Sequence, residues 1–255
     1  LMEKYPHQIS DYPQRYIVAL FNLVLGLSKL EKYKEMIFYI QKLKALDIKS
    51  ESLKDYIFYS VSFLELGMYI GTGRFKEGLP LIFAIEEKLK KPNAKIIDEQ
   101  RVIVFYFSIS IIYFGIGNYR ESNLYLNKII NDRISDGRSD IHCFAKIVNL
   151  LVHFELGDRD LLEYIVKSTY RYLHKRNRLY KFETSVLNFI RTKLPKIDST
   201  SELTETFKEW KTEIEKITKY PFEKKALEYF DIISWLESKI SHRPFADIVK
   251  EKALQ

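Results

Sequence analysis

Cysteine is almost missing from this chain: Cys143 is the single one in 255 residues. An intrachain disulfide framework is therefore excluded, and a reducing, cytoplasmic setting is expected. Glycine and proline are scarce, nine and seven residues, which disfavours a turn-rich β fold and favours long helices. No stretch alternates apolar and polar residues convincingly at period two, so little or no sheet is expected. The opening "LMEKYPHQIS" has none of the charged, apolar and small-residue zones of a secretion signal. It begins with Leu1 rather than Met, the expectation being a piece of a longer protein. The longest apolar run, "VIVFYFSISIIYFGIG" from Val102, falls short of the ~20 residues that a membrane span needs. No membrane association is expected.

Signatures of catalysis are also missing. "GTGRFKEG" looks superficially like a phosphate loop but lacks the Gly-Lys-Ser/Thr ending and a preceding buried strand. His142 adjoins Cys143, yet no second cysteine or suitably spaced histidine completes a zinc pattern. A free cysteine on an apolar helix face reads as packing rather than as a nucleophile. Acidic pairs such as Glu86–Glu87 sit among lysines on faces that water can reach. The chain is read as non-enzymatic, with no cofactor and no metal.

What is present is a recurring elbow. "YFGIGNYRESNLYLNKII" from Tyr113 ends one apolar helix at a glycine pair and starts another near Tyr119. The same pattern occurs in "LGLSKLEKYKEMIFYIQKL", "MYIGTGRFKEGLPLIFAI" and "FELGDRDLLEYIVKSTY". The aromatics after the bend, Tyr33, Phe75 and Tyr119, lie 42 and 44 residues apart. Gly157 follows Gly117 by 40. Each interval is long enough for a first helix with apolar residues at three- and four-residue spacing. Lysines and arginines gather in the last turns of the second helices, where the helix dipole favours cations. A helix–bend–helix unit repeating every ~40 residues is the mark of an α-solenoid. Pro80 falls inside the second helix of its unit and should bend that helix or delay its start.

These residues resemble the tetratricopeptide repeat (TPR). The best unit carries Tyr106, Ile109, Ser110 and Tyr113 on its first helix, then Ser122, Leu126 and Ile129 on its second, with "GNYRE" as the elbow. Met36 stands where a small residue is usual, and the spacing exceeds the 34 residues of that repeat. The resemblance covers roughly residues 12 to 176 and implies an all-α, right-handed α-solenoid of about four helical hairpins. Beyond it, residues 177–255 read as a C-terminal helical cap, the polar-faced ending that a solenoid needs. That cap contains an amphipathic stretch from Arg178, a Ser199-to-Glu202 capping-box spacing and helices near 202–218 and 222–240. A last helix starts at Pro244. The expected division is 1–176 and 177–255.

In the frame that the resemblance supplies, Val18, Phe21, Leu25, Phe63, Ile70, Val104, Phe107, Ile111 and Phe114 face the concave groove, and none is polar. A helix apolar all round is covered all round. The groove must be filled by a protein or peptide, by a second copy of the chain as a homodimer, or by the chain's own C-terminal helices. An open or partly open groove is expected, and with it a peptide- or protein-binding scaffold or sensor. The alternative is a nucleic-acid-associated regulator. Between Lys167 and Lys196 nine basic side chains stand against the single Glu183, a net +8 in a chain of net +7. Lys175, Arg176, Arg178 and Lys181 form its centre, interleaved with Tyr170, Tyr172 and Tyr180, which could stack on bases.

Overall fold

The computed structural model describes residues 9, 11–90, 98–132 and 136–254. The polar, turn-forming stretch "KKPNAK" at residues 90–95, where the sequence predicts a break between hairpins, lies, after Lys90, outside them. Among the described residues every regular element is helical. The chain divides after Asp98 into two compact units.

The first unit holds α1 (Pro13–Lys29), α2 (Tyr33–Lys44), α3 (Glu51–Gly71) and α4 (Leu79–Leu89). Residues Ile17, Leu20, Val24 and Leu27 fall on one stripe of α1, and Met36, Ile40 and Leu43 on one stripe of α2. They close on Val61, Leu64 and Met68 of α3 to form the core. Ser50 caps α3 by accepting a hydrogen bond from the Leu53 N–H, which satisfies an otherwise orphaned donor. Pro80 delays its helix as its fixed ring and missing N–H require. Phe75–Gly78 form a 3₁₀ turn, and α4 begins at Leu79 with Pro80 in its first turn. The Tyr33 side chain packs over Gly71: a Cβ there would lie 2.6 Å from the Tyr33 hydroxyl and would push that ring aside.

The second unit starts with α5 (Glu99–Gly115), α6 (Tyr119–Ile130), α7 (Ser139–Leu156) and α8 (Arg159–Lys175). Each packs on the next, and α5 also meets α7. Helices α5 and α6 approach closely at Ser122, which is fully buried and donates to the Ser110 carbonyl at 2.9 Å. Tyr113 stacks on Tyr125 of the second helix. Next comes α9 (Lys181–Asn188), prolonged by a π turn at Phe189–Lys193 and a 3₁₀ turn at Leu194–Lys196. Helix α10 (Thr200–Ile217) follows, with Ser199 accepting from the Glu202 N–H and Glu202 reaching back to the Asp198 N–H. The helix expected over 222–240 is broken. A short α11 (Pro221–Lys224) and a 3₁₀ turn give way to α12 (Ile232–Ser241), because Asp231 accepts from the Ser234 N–H and restarts the chain. The last helix is α13 (Phe245–Lys252).

The four elbows share one backbone conformation. Glu31, Gly73, Gly117 and Gly157 all have positive φ. The next residue's N–H reaches back five positions in each case: Lys32 to Leu27, Arg74 to Tyr69, Asn118 to Tyr113 and Asp158 to His153. This is the Schellman closure, which satisfies the last carbonyls of a helix. Three elbows use glycine, where a left-handed residue costs nothing, whereas Glu31 carries a Cβ through that region at a cost of ~1–2 kcal/mol.

Nothing lies within 4 Å of a Cβ placed on Gly117, so Gly117→Ala should destabilise by ~1 kcal/mol from backbone strain alone. Glu31→Gly should stabilise by up to about the same amount. Denaturant melts of both variants check the pair, and shifts of the opposite sign would dissolve the equivalence of the elbows.

Candidate functional site

Two surfaces qualify: the apolar side of the first helices, and the basic stretch from Lys167 onward.

In the second unit the apolar side is not open. Phe107, Ile111 and Phe114 are buried and Val104 is half-buried. Phe114 meets the rings of Phe230 and Phe245 at 5.0 and 5.9 Å, both edge-on. Phe107 meets Tyr229 at 6.2 Å. In this unit the apolar side expected to be open or partly open is covered by aromatics of the chain's own C-terminal segment. Polar anchors hold those aromatics down. Tyr229 stacks flat on Phe144 at 4.0 Å, and its hydroxyl donates to Asp140 at 2.8 Å. Burial and that bond push the Tyr229 hydroxyl up to about 12. Burial opposes ionisation of Asp140, but hydrogen bonds from Arg138 and Tyr229 outweigh it and hold the carboxyl below its ordinary value. In the last turn of α7, Glu155 accepts from the Trp235 indole and the Lys239 ammonium, both at 2.6 Å.

In the first unit Phe21, Leu25, Phe63 and Ile70 are half-buried. The Phe21 and Phe63 rings lie 6.4 Å apart across α1 and α3. The structure thus pairs Phe21 with Phe63 and gathers Phe107 and Phe114 under one aromatic cover.

The basic stretch occupies the end of α8, the turn after it and α9. Lys175, Arg176 and Lys181 are exposed and Arg178 is half-buried. The Arg176 guanidinium lies 3.8 Å above the Tyr172 ring, and Lys181 caps the Tyr220 ring at 4.8 Å. Lys146 also faces Tyr172, at 4.7 Å. Burial and the nearby Arg176 depress its ammonium below the ordinary lysine value. Tyr172 is thus committed to two cations and unavailable for stacking on a base. Tyr170 is 44% exposed and stacked on His174. Between α8 and α9 a cavity of about 200 Å³ is lined by Lys167, Arg171 and Arg191, with Tyr170, Thr184 and Asn188.

The one acid of the stretch is inside. Glu183 is 5% exposed, and its Oε2 has no hydrogen-bond partner among the described residues. Burial pushes its carboxyl up to about 7, with Glu223 adding to the rise. Glu223 receives the Lys181 and Phe182 N–H groups at 3.1 and 3.0 Å, capping α9 from α11. The sequence shows Glu183 only as a lone acid among cations, and its flanking Phe182, Val186 and Leu187 are the sole hint of burial. Cys143 is buried as expected of a packing residue, and burial pushes its thiol up to about 11, so almost no thiolate forms at neutral pH. Among the described residues no group of histidine, cysteine and acidic side chains is arranged to hold a metal ion. None of their helices is long and apolar enough to cross a membrane.

Comparison with protein families, with curated proteins and with solved structures finds no match for this chain.

Glu183 has a testable signature. A folded pKa of about 7 against an unfolded 4.5 means the folded chain holds a proton that the unfolded chain has released. Stability is undiminished below pH 4.5, falls between 4.5 and 7, and then levels off at a cost on the order of 3 kcal/mol. Glu183→Gln should remove that slope and be the more stable form above pH 7. Urea midpoints across pH 4 to 8 check it, and parallel curves for the two proteins would contradict it.

Proposed function

We propose that the chain is a non-catalytic helical-repeat module that binds a protein or peptide, its hairpins arranged as a TPR-like, right-handed solenoid of four with a C-terminal cap. The single observation that carries the reading is the repeated elbow. Four hairpins of ~40 residues with one closure conformation are the building unit of such scaffolds. Their first helices carry apolar side chains where that family meets its ligands. In the second unit the chain's own Tyr229, Phe230 and Phe245 occupy this side, an arrangement that mimics a bound apolar segment. The first unit offers Phe21, Leu25, Phe63 and Ile70, all half-buried, with the Phe21 and Phe63 rings paired across α1 and α3. Peptides selected from a random displayed library against the full chain should carry aromatic or branched anchors. Phe63→Ala should weaken them by ~1–4 kcal/mol, the range for a buried anchor. Selected peptides indifferent to both Phe63→Ala and Ile70→Asp would remove this reading.

A second reading, nucleic-acid association, is favoured by the segregation of charge. Within residues 167–196 nine cations stand against one carboxyl, which is buried; from outside the stretch Glu163 pairs with Lys167 and Glu213 with Lys193. Exchanging Lys175, Arg176, Arg178 and Lys181 for Gln should weaken nucleic-acid binding. The salt slope should drop by up to about 2.8 for a single strand, 0.7 per lost charge. Absence of any binding by the wild type at low salt would remove it.

A further inference from the structure

The nucleic-acid reading leaves unspecified which atoms would take a strand and what form of nucleic acid would fit. The outer face of α8 and its junction with α9 supply both. Tyr164 (71% exposed), Lys167, Tyr170, Arg171, His174 and Lys175 are all exposed along α8, at spacings that place them on neighbouring rows of one helix surface. Aromatic and cationic groups alternate there. Midway along, Arg171 and Arg191 open onto the cavity of about 200 Å³ together with Lys167. Its floor is apolar, from Val166, Leu179 and Leu187, and its rim offers the Thr184 hydroxyl and the Asn188 amide.

No carboxylate lines this cavity. Lys167 is partnered by Glu163 at 2.6 Å, whereas Arg171 and Arg191 make no ion pair among the described residues. Three other cations at junctions between helices have acids beside them: Lys44 with Glu65, Lys88 with Asp55, Lys239 with Glu155. Two guanidinium groups line this one small concavity, and a guanidinium fork is the donor geometry that suits a tetrahedral oxyanion. At about 200 Å³ the cavity is smaller than the ~300–1,000 Å³ of sites that engulf a whole small molecule. It matches a single phosphate whose attached chain continues outside.

We propose that the outer face of α8 and the α8–α9 cavity form a binding site for single-stranded nucleic acid. One backbone phosphate sits between Arg171 and Arg191, and unstacked bases lie on the Tyr170 and Tyr164 rings. The proposal rests on the nucleic-acid reading and sharpens it. A duplex hides its base faces and leaves the exposed tyrosines unused, whereas a single strand uses rings and cations alternately.

The test is fluorescence anisotropy of the full chain with a labelled twelve-residue oligo-dT at 50 to 300 mM KCl. The site predicts binding at the lowest salt and weaker binding of the same length of duplex. Arg171→Gln with Arg191→Gln should cost tenfold or more and lower the salt slope by about 1.4, two strand charges. Tyr170→Leu should cost roughly tenfold with the slope intact, and a thermal melt confirms that each variant is folded. Lys34→Gln with Lys76→Gln, exposed lysines of the first unit, should change nothing. Equal loss from that control pair would overturn the site as diffuse charge attraction, as would duplex binding as tight as single-strand binding. Binding that survives loss of Arg171 and Arg191 but falls on exchanging Lys175, Arg176, Arg178 and Lys181 would overturn the site while sparing the broader reading. Arginine-dependent capture of an acidic or phosphorylated peptide with no affinity for the strand would overturn both.

Discussion

Beyond its polar first turn, helix α5 is apolar on every side, and the second unit is organised by the need to cover it. A helix with no polar face has no orientation in which water can be tolerated. Ser110 and Ser108 soften nothing, because each hydroxyl is spent on a carbonyl of its own helix. Helices α6 and α7 cover part of α5, and Tyr229, Phe230 and Phe245 meet Phe107 and Phe114. Removing a buried phenylalanine from such a cluster costs ~3–5 kcal/mol, against ~0–1 kcal/mol for an exposed ion pair. The aromatic cover therefore dominates, and the polar bonds around it fix where the cover sits. Those bonds matter through their geometry: Tyr229 to Asp140 and Trp235 to Glu155 tie the C-terminal segment to the two ends of α7, each with a ring already packed.

The same economy explains the buried Glu183. Its neighbour Glu223 is the more valuable acid, because two backbone donors at the start of α9 depend on it. Glu183 lies beside that junction without a partner for Oε2, so proton uptake there relieves both desolvation and the repulsion between the two carboxyls. At the surface of α8 and the turn after α9, Lys167 and Lys193 meet Glu163 and Glu213, while Glu183 faces inward and partners none of the cations.

Much of the helical pattern was legible from residue spacing. Elbow positions followed from Gly73, Gly117 and Gly157 and from the aromatics Tyr33, Phe75 and Tyr119, and the delay at Pro80 followed from its missing N–H. The Ser199–Glu202 cap is a local interaction and was equally readable. The break at Asp231 was not, because "ALEYFDIISWLESKI" keeps an apolar helical rhythm straight through it, and a single capping carboxylate decides against the rhythm. Fillers of the space beside α5 were also illegible. "LEYFDII" is separated from Phe107 and Phe114 by more than a hundred residues, and periodicity carries no information on which distant face it will meet. In the basic stretch the sequence showed the charges but could not show that Arg171 and Arg191 share a cavity, that Tyr172 is already taken by Arg176 and Lys146, or that Glu183 faces inward.

Hydrogen exchange along α5 tests most directly whether the aromatic cover holds this unit. The measurement compares the full chain with a variant carrying Tyr229→Ala, Phe230→Ala and Phe245→Ala. If the cover is what α5 depends on, amides from Phe107 to Phe114 lose protection in the variant and an apolar dye binds there, while the helix pair α10 and α12 keeps its protection. Unchanged protection of α5, with no dye bound, would contradict the account.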